Sequence, residues 1–510
     1  MPSLCLPSKP DLDHLKGQAR TLQRQVRAGD AEALRTVREV HPRPEAADDP
    51  SAFRVADAQL VLARRYGFPS WTALRRHLAV VAEYGRSPHL VPLGDDDRPE
   101  HRADRMLRLG CLVYGGDDLD RHAQAGVMLG ASPELAHKDI WTAAAAGDFA
   151  HVGGLVDADP PLADRPGGPF DWVPLLYVTY SRISVDAPQC SPLRTAKVLL
   201  DAGADPNAGY LWDGTYPFTA LTGALGGGED KTNQPPHPEA LALARLLLEA
   251  GADPNDSQAL YNRQFDPDDS HLRLLIEFGL GKGGGGPWHA RLGSSHGTPA
   301  QLLEDQLSVA AAQNRPEWGR LALGAGASPD GKGTAHPIFK GRTPYELAVH
   351  RGNREVMDIL LAAGATTAAL DLVDRFLAEC MAGDVGGRHA VEDLLDADPG
   401  LAARAVARRP YAVLEAVELG RPELIRLLAE VGFDVNVGRR HTPLHQAAYD
   451  GDVAVVRTLL ELGAYPNTKD RNYGSPPQAW AAHARQDAVV EVLRPITRPR
   501  GADGGWPDGA

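Results

Sequence analysis

The sequence predicts an all-α fold in which pairs of short helices stack as a solenoid and meet at short, β-hairpin-like fingers. Three observations carry that reading. Apolar residues recur at three- and four-residue spacing in short runs such as Leu444, Ala447 and Ala448, or Val456, Leu459 and Leu460. Glycine and aspartate punctuate those runs where a helix must end and the next begin. At 510 residues the chain exceeds one globular core, so it needs several domains or a repeat array.

The clearest unit runs from Thr442 to Gly474. Thr442 is placed to cap a helix, and Pro443 sits at its first position, where a missing N–H has no consequence. Gly451 can take the left-handed conformation that ends this helix, and Asp452 can cap the next. The second helix stops at Gly463. Asn467, Asp470 and Gly474 then supply turn chemistry for a finger. Such a unit cannot bury its apolar stripes without neighbours on both sides.

Thr442-Pro443-Leu444-His445 is similar to the signature tetrapeptide of ankyrin repeats, and the segment fits the family's repeat of about 33 residues without a gap. The resemblance implies a non-catalytic scaffold or adaptor that binds a protein partner through the concave side of the array. It also implies that His445 is structural, tying neighbouring units together by hydrogen bonds. Thr343-Pro344-Tyr345-Glu346 matches the same signature less closely.

Taken in order, 1–85 is expected to form a helical capping module. Leu12, Leu15, Ala19, Leu22 and Val26 mark its first helix, Asp30 caps the second, Ser51 opens a third and Ser70 caps a fourth. Its ADAQL and YGFPSW segments resemble modules that head bacterial ankyrin proteins. The Pro-, Gly- and Asp-rich stretch 86–100, including Asp95 to Asp97, reads as a linker. The solenoid is expected over 101–494. Its second helices close at Asn207, Asn255, Gly279, Asp330, Ala365, Asn436 and Asn467. Two units, from Ala146 and from Ala382, share an alternative ending (DADPPLADR and DADPGLAAR) that suggests internal duplication. Insertions fall at 226–238 and 281–297, and 495–510 is a Pro/Gly-rich tail. The last unit lacks the glycine that ends its first helix elsewhere, which suits a terminal cap.

Composition narrows function. Fifty-three Lys and Arg against 67 Asp and Glu leave a net charge of −14, which argues against nucleic-acid backbones and anionic membrane surfaces. Cys5, Cys111, Cys190 and Cys380 show no metal spacing and read as reduced thiols of a cytoplasmic protein. No secretory leader or membrane-spanning run is expected, and no cofactor is implied.

Each catalytic or metal pattern fails in its context. Gly293-Ser294-Ser295-His296-Gly297 matches the nucleophile elbow literally, which makes a hydrolase using Ser295 the alternative function, but no strand precedes it. Gly326 to Gly333 approaches a phosphate-binding loop and lacks its hydroxyl at Gly333. Asp266, Asp268, Ser270 and Glu277 have calcium-loop spacing, yet His271 occupies the required glycine position. His441 and His445 are four apart, but Pro443 starts the helix between them, so they do not share a face. A small-ligand sensor is a third reading. Candidate partner contacts are Tyr210 and Trp212 in one finger, Lys469, Arg471 and Tyr473 in another, and Gln446 and Tyr449 on an inner helix, since aromatics and arginine dominate binding hot spots.

Overall fold

The computed structural model describes residues 4, 6–7, 10–94, 98–184, 188–293, 296–335, 337–339, 341–367, 370–383 and 385–499. Cys5, Asp95 to Asp97, Ser294 and Ser295 lie outside the described residues. The described chain is predominantly helical, with one three-stranded sheet. It divides into two compact units, one of 1–266 with 283–297 and one of 267–282 with 298–510. This division does not follow the boundaries expected from sequence.

In the first unit the N-terminal helices form as their caps dictate. Asp30 accepts from the Ala33 amide at 2.8 Å and Ser70 from the Ala73 amide at 3.1 Å. The third helix, Val55–Arg65, starts later than expected. Asp57 reaches back to the Arg54 amide at 2.9 Å and sets the start there instead of at Ser51. Leu15, Ala19, Val26, Val61 and Leu74 build a core of their own beneath these helices.

Of the stretch read as a linker, Arg86 and His89 are tied into the fold. Strand β1, Gly85–Arg86, pairs in parallel with β2, Gly209–Trp212, which pairs antiparallel with β3, Tyr216–Thr219. His89 stacks on Trp212 with ring centroids 4.5 Å apart. Both insertions are structural as well. In the first, Gln234 donates to Asp117 at 3.3 Å, and the Pro235 carbonyl accepts from the buried Arg182 guanidinium at 2.9 Å. The second carries a helix, Gly286–Leu292, whose Trp288 packs beside Val80, Val81 and Leu211.

The second unit stacks helix pairs over one continuous core that runs from Val373 to Leu493. The first helices of its pairs are Pro299–Gln313, Pro344–Arg351, Leu372–Ala382, Ala412–Glu418, Pro443–Asp450 and Pro477–His483. Among the last pairs, neighbouring first helices pack against one another more extensively than neighbouring second helices do.

Two devices repeat along the chain. The asparagine at the end of a finger clamps the next unit. Asn436 accepts from the Tyr465 amide at 2.8 Å and donates to Gly463, and Asn467 does the same for Arg498 and Ile496. Asn207 likewise accepts from Asp253 and donates to Gly251 in the first unit. The two alternative endings share an ion pair between residues six apart, Asp159 with Arg165 at 3.0 Å and Asp398 with Arg404. The matching pair fits the duplication suggested by their sequences.

Candidate interaction surface

The surface is best defined on the helices and finger of 442–483. Helix Pro443–Asp450 starts through a reciprocal cap: His445 Nδ1 accepts from the Thr442 amide at 3.2 Å, and its Nε2 contacts the Ser475 carbonyl at 3.0 Å. Both ring nitrogens are thereby used, with Nδ1 the acceptor and Nε2–H the donor. Burial holds the imidazole well below its usual range, at about 4, so it stays neutral. Neither nitrogen is left to ligate a metal with His441, whose ring packs against Trp480 at 4.9 Å.

The following finger is built around one carboxylate. Asp470 accepts from the amides of Asn472 and Tyr473, both at 2.7 Å, from Ser475 at 3.0 Å and from the Trp480 indole at 3.1 Å. These bonds fix the backbone that carries Arg471 and Tyr473. Tyr473 is 77% exposed and Arg471 is exposed, while Lys469 is half-buried. On the adjoining helix Gln446 and Tyr449 are half-buried. Gln446 donates to Asp450 at 2.9 Å, and Tyr449 meets Trp480 edge-on at 6.2 Å. Five of the seven expected contact residues thus fall on one stretch, with Trp480 as an anchor that the sequence reading missed.

The other two do not join them. Tyr210 is 2% exposed, which corrects its assignment as a surface contact. Its ring stacks on Trp172 at 5.0 Å and packs near Phe218, while the neighbouring Leu211 faces Val80 and Val81. The hairpin is covered on both faces, and the cover on one face comes from the N-terminal helices. Trp212 is half-buried, with its indole donating to the Val113 carbonyl at 2.9 Å.

Two of the motifs set aside on sequence grounds have structural roles. In the phosphate-loop lookalike, the Gly333 amide donates to Glu304 and Thr334 donates to Asp305, so carboxylates occupy the place an anion would need. In the calcium-loop lookalike, Asp268 accepts from the Ser270 amide at 3.3 Å, and Asp266 pairs with Arg263 at 3.3 Å. Among the described residues no group of three or more His, Cys, Asp or Glu is placed to hold a metal. No helix there is long and apolar enough to cross a membrane.

Sequence reasoning also missed a cluster of arginines. Because the unit after Ala382 continues into a further helix, Leu401–Arg408, instead of a finger, Arg409 is carried onto the end of Pro344–Arg351. There it donates to the His350 carbonyl at 2.6 Å and pairs with Glu415. Burial alone would raise the Glu415 carboxyl, but Arg409, Arg351 and Arg439 together hold it below its usual range. The doublet Arg408-Arg409 before Pro410-Tyr411 was the signal available in the sequence.

Residues 379–470 match the family model for ankyrin repeats, in three copies. The chain carries ankyrin repeats. Over 84 residues, 16% of this chain, it is 37% identical to the E3 ubiquitin-protein ligase Ufd4 of Drosophila melanogaster, of which the match takes in 3%. Over 213 residues, 41% of this chain, it is 28% identical to the B-cell lymphoma 3 protein homolog of Mus musculus, covering 45% of that protein. The chain therefore spans less than half the length of either relative. The ankyrin match contains the reciprocal cap at Thr442 and ends at Asp470, the residue that organises the last finger.

Proposed function

We propose that this ankyrin-repeat chain is a non-catalytic scaffold or adaptor of the cytoplasm that grips a protein partner through the concave, first-helix side of the second unit. One observation carries the reading. Tyr473 stands almost fully in solvent on a finger whose backbone is pinned by Asp470. A finger whose backbone is already ordered loses little main-chain freedom on binding, and a tyrosine has only two side-chain torsions to fix. The more extensive packing among the last first helices supports curvature toward that side, and Trp480 links Tyr449 on the helix to Asp470 at the base of the finger that carries Lys469, Arg471 and Tyr473.

Affinity capture with the full chain tests this. The variant Tyr449→Ala/Arg471→Glu/Tyr473→Ala should lose proteins that the wild type retains from native lysate, while its melting temperature stays within a few degrees. Retention of the same proteins by both chains would overturn the assignment of the surface.

A further inference from the structure

The first insertion, 226–238, lies on the first unit as a strap with a hinge at one end and an anchor at the other. Gly226, Gly227 and Gly228 take positive φ in succession, 57°, 79° and 141°. Backbone of that kind belongs to glycine, and the run sits tight on what it touches. A Cβ on Gly227 would be 2.8 Å from the Asn262 carbonyl oxygen, and one on Gly228 would be 3.5 Å from Tyr114 Cε1. At the far end the His237 amide donates to the Ala224 carbonyl at 3.1 Å, and the Nδ1 of this buried histidine accepts from the Glu239 amide at 3.0 Å. Between the ends the strap is fastened to Arg182 through Pro235 and to Asp117 through Gln234.

The anchor holds only while His237 is neutral. A second proton would take the lone pair that receives the Glu239 amide, and it would add a positive charge near Arg182, a guanidinium that burial already holds below its usual range. The donors of Arg182 go to the carbonyls of Thr179, Ser181, Gly223 and Pro235. Asp117 acts on Arg182 but pairs with Arg121 at 3.1 Å, and the Glu239 carboxylate accepts from the Leu193 amide at 3.2 Å. Burial and the Arg182 charge therefore hold the His237 imidazole down at about 3, against 6.5 for a free one. A second imidazole near Arg182, His122 on helix Leu119–Ala131, is pushed down to about 3 by burial and by Arg121 and Arg182, with Asp118 acting the other way. Beside the glycine run, the Tyr114 hydroxyl and the Asn262 amide nitrogen act on one another without a well-formed hydrogen bond, and neither has another partner among the described residues. Polar groups covered in this state regain hydrogen bonds to water when uncovered, which lowers the cost of lifting the strap.

We infer that segment 226–238 is an acid-released strap, closed over Tyr114 and Asn262 at neutral pH and lifted from them when His237 takes up a proton. The open strap carries the ring into water, where it accepts the charge that the closed form refuses. Above pH 6.5 His237 is neutral in both forms and closure has its full strength. Below that the open form binds a proton and the closed form does not, so the opening constant rises by up to about tenfold per pH unit until the closed form titrates near 3.

Hydrogen exchange of the full chain, read by mass spectrometry and corrected for the intrinsic pH dependence of amide exchange, tests the inference. Peptides spanning 226–238 report the His237 amide, bonded to Ala224, and the Gly227 amide, bonded to Gln234. Their protection should fall by roughly thirtyfold between about pH 7.5 and about pH 5, while that of helix Phe149–Ala158 in the same unit holds. His237→Gln keeps a side-chain acceptor that does not titrate, and its strap should be equally protected at both pH values. Gln234→Ala removes the contact with Asp117 and should lower protection at both, leaving the pH dependence in place. Protection of the wild-type strap that does not change with pH would overturn the inference, as would the wild-type pH dependence persisting in His237→Gln. An equal loss in Phe149–Ala158 would also overturn it, marking unfolding of the whole unit. So would a larger loss in Leu119–Ala131 than in the strap, which would assign the effect to His122 instead.

Discussion

At the scale of the residue, His445 shows how one side chain can serve the fold only in one protonation state. Its neutral ring accepts from Thr442 and donates to Ser475, and a second proton would remove the acceptor. The folded chain keeps it neutral to about pH 4, whereas an unfolded histidine titrates at 6.5. Above pH 6.5 both states are neutral and the full stability is present. Below it the unfolded chain takes up a proton that the folded chain refuses, so stability falls with pH by up to roughly 3 kcal/mol before levelling near the folded value. Urea midpoints measured above pH 7 and near pH 5 should therefore drop for the wild type and drop less for His445→Gln. Equal slopes for the two proteins would contradict this role. The histidine's structural part was legible from the Thr-Pro-Leu-His tetrapeptide, because the spacing alone puts residue three of the helix back over its cap. The burial of Tyr210 was not legible: strand alternation says which face a side chain takes, not that a distant module covers it.

At the scale of the element, helix ends were the best-read feature and their surroundings the worst. Gly352 and Gly463 both adopt positive φ, 65° and 90°, at the ends of helices of the second unit. A Cβ on Gly352 would lie 2.2 Å from the Ala382 amide nitrogen, whereas a Cβ on Gly463 would meet nothing within 4 Å. Gly463→Ala should cost about 1 kcal/mol, the strain of the backbone alone, while Gly352→Ala should cost clearly more, because two helices must move apart. Thermal unfolding of the two variants checks the order, and equal losses would contradict the packing. The last unit bends the rule. Arg485 takes the same left-handed turn at φ 57° without glycine, which explains why sequence pattern read that unit as irregular. The insertions were visible as interruptions of the repeat, but their docking depended on partners such as Asp117 and Asn207, which no local pattern connects to them.

At the scale of the whole molecule, a family model covers three repeats while helix pairs extend well beyond 379–470. Outside that match Asn207 makes the same asparagine clamp as Asn436 and Asn467, while Asp330 accepts from the Thr366 amide at 2.8 Å at the end of its unit. The contact division at 266/267 was not anticipated, since the insertion 281–297 is shared between the units. The central claim is that partner contact belongs to the finger and first-helix side of the second unit. Photo-crosslinking tests it most directly, with benzoylphenylalanine placed at Tyr473 or at Arg457 of the full chain and irradiated in native lysate. The account predicts protein-sized adducts from position 473 and none from 457; adducts from 457 alone, or equally from both, would contradict it.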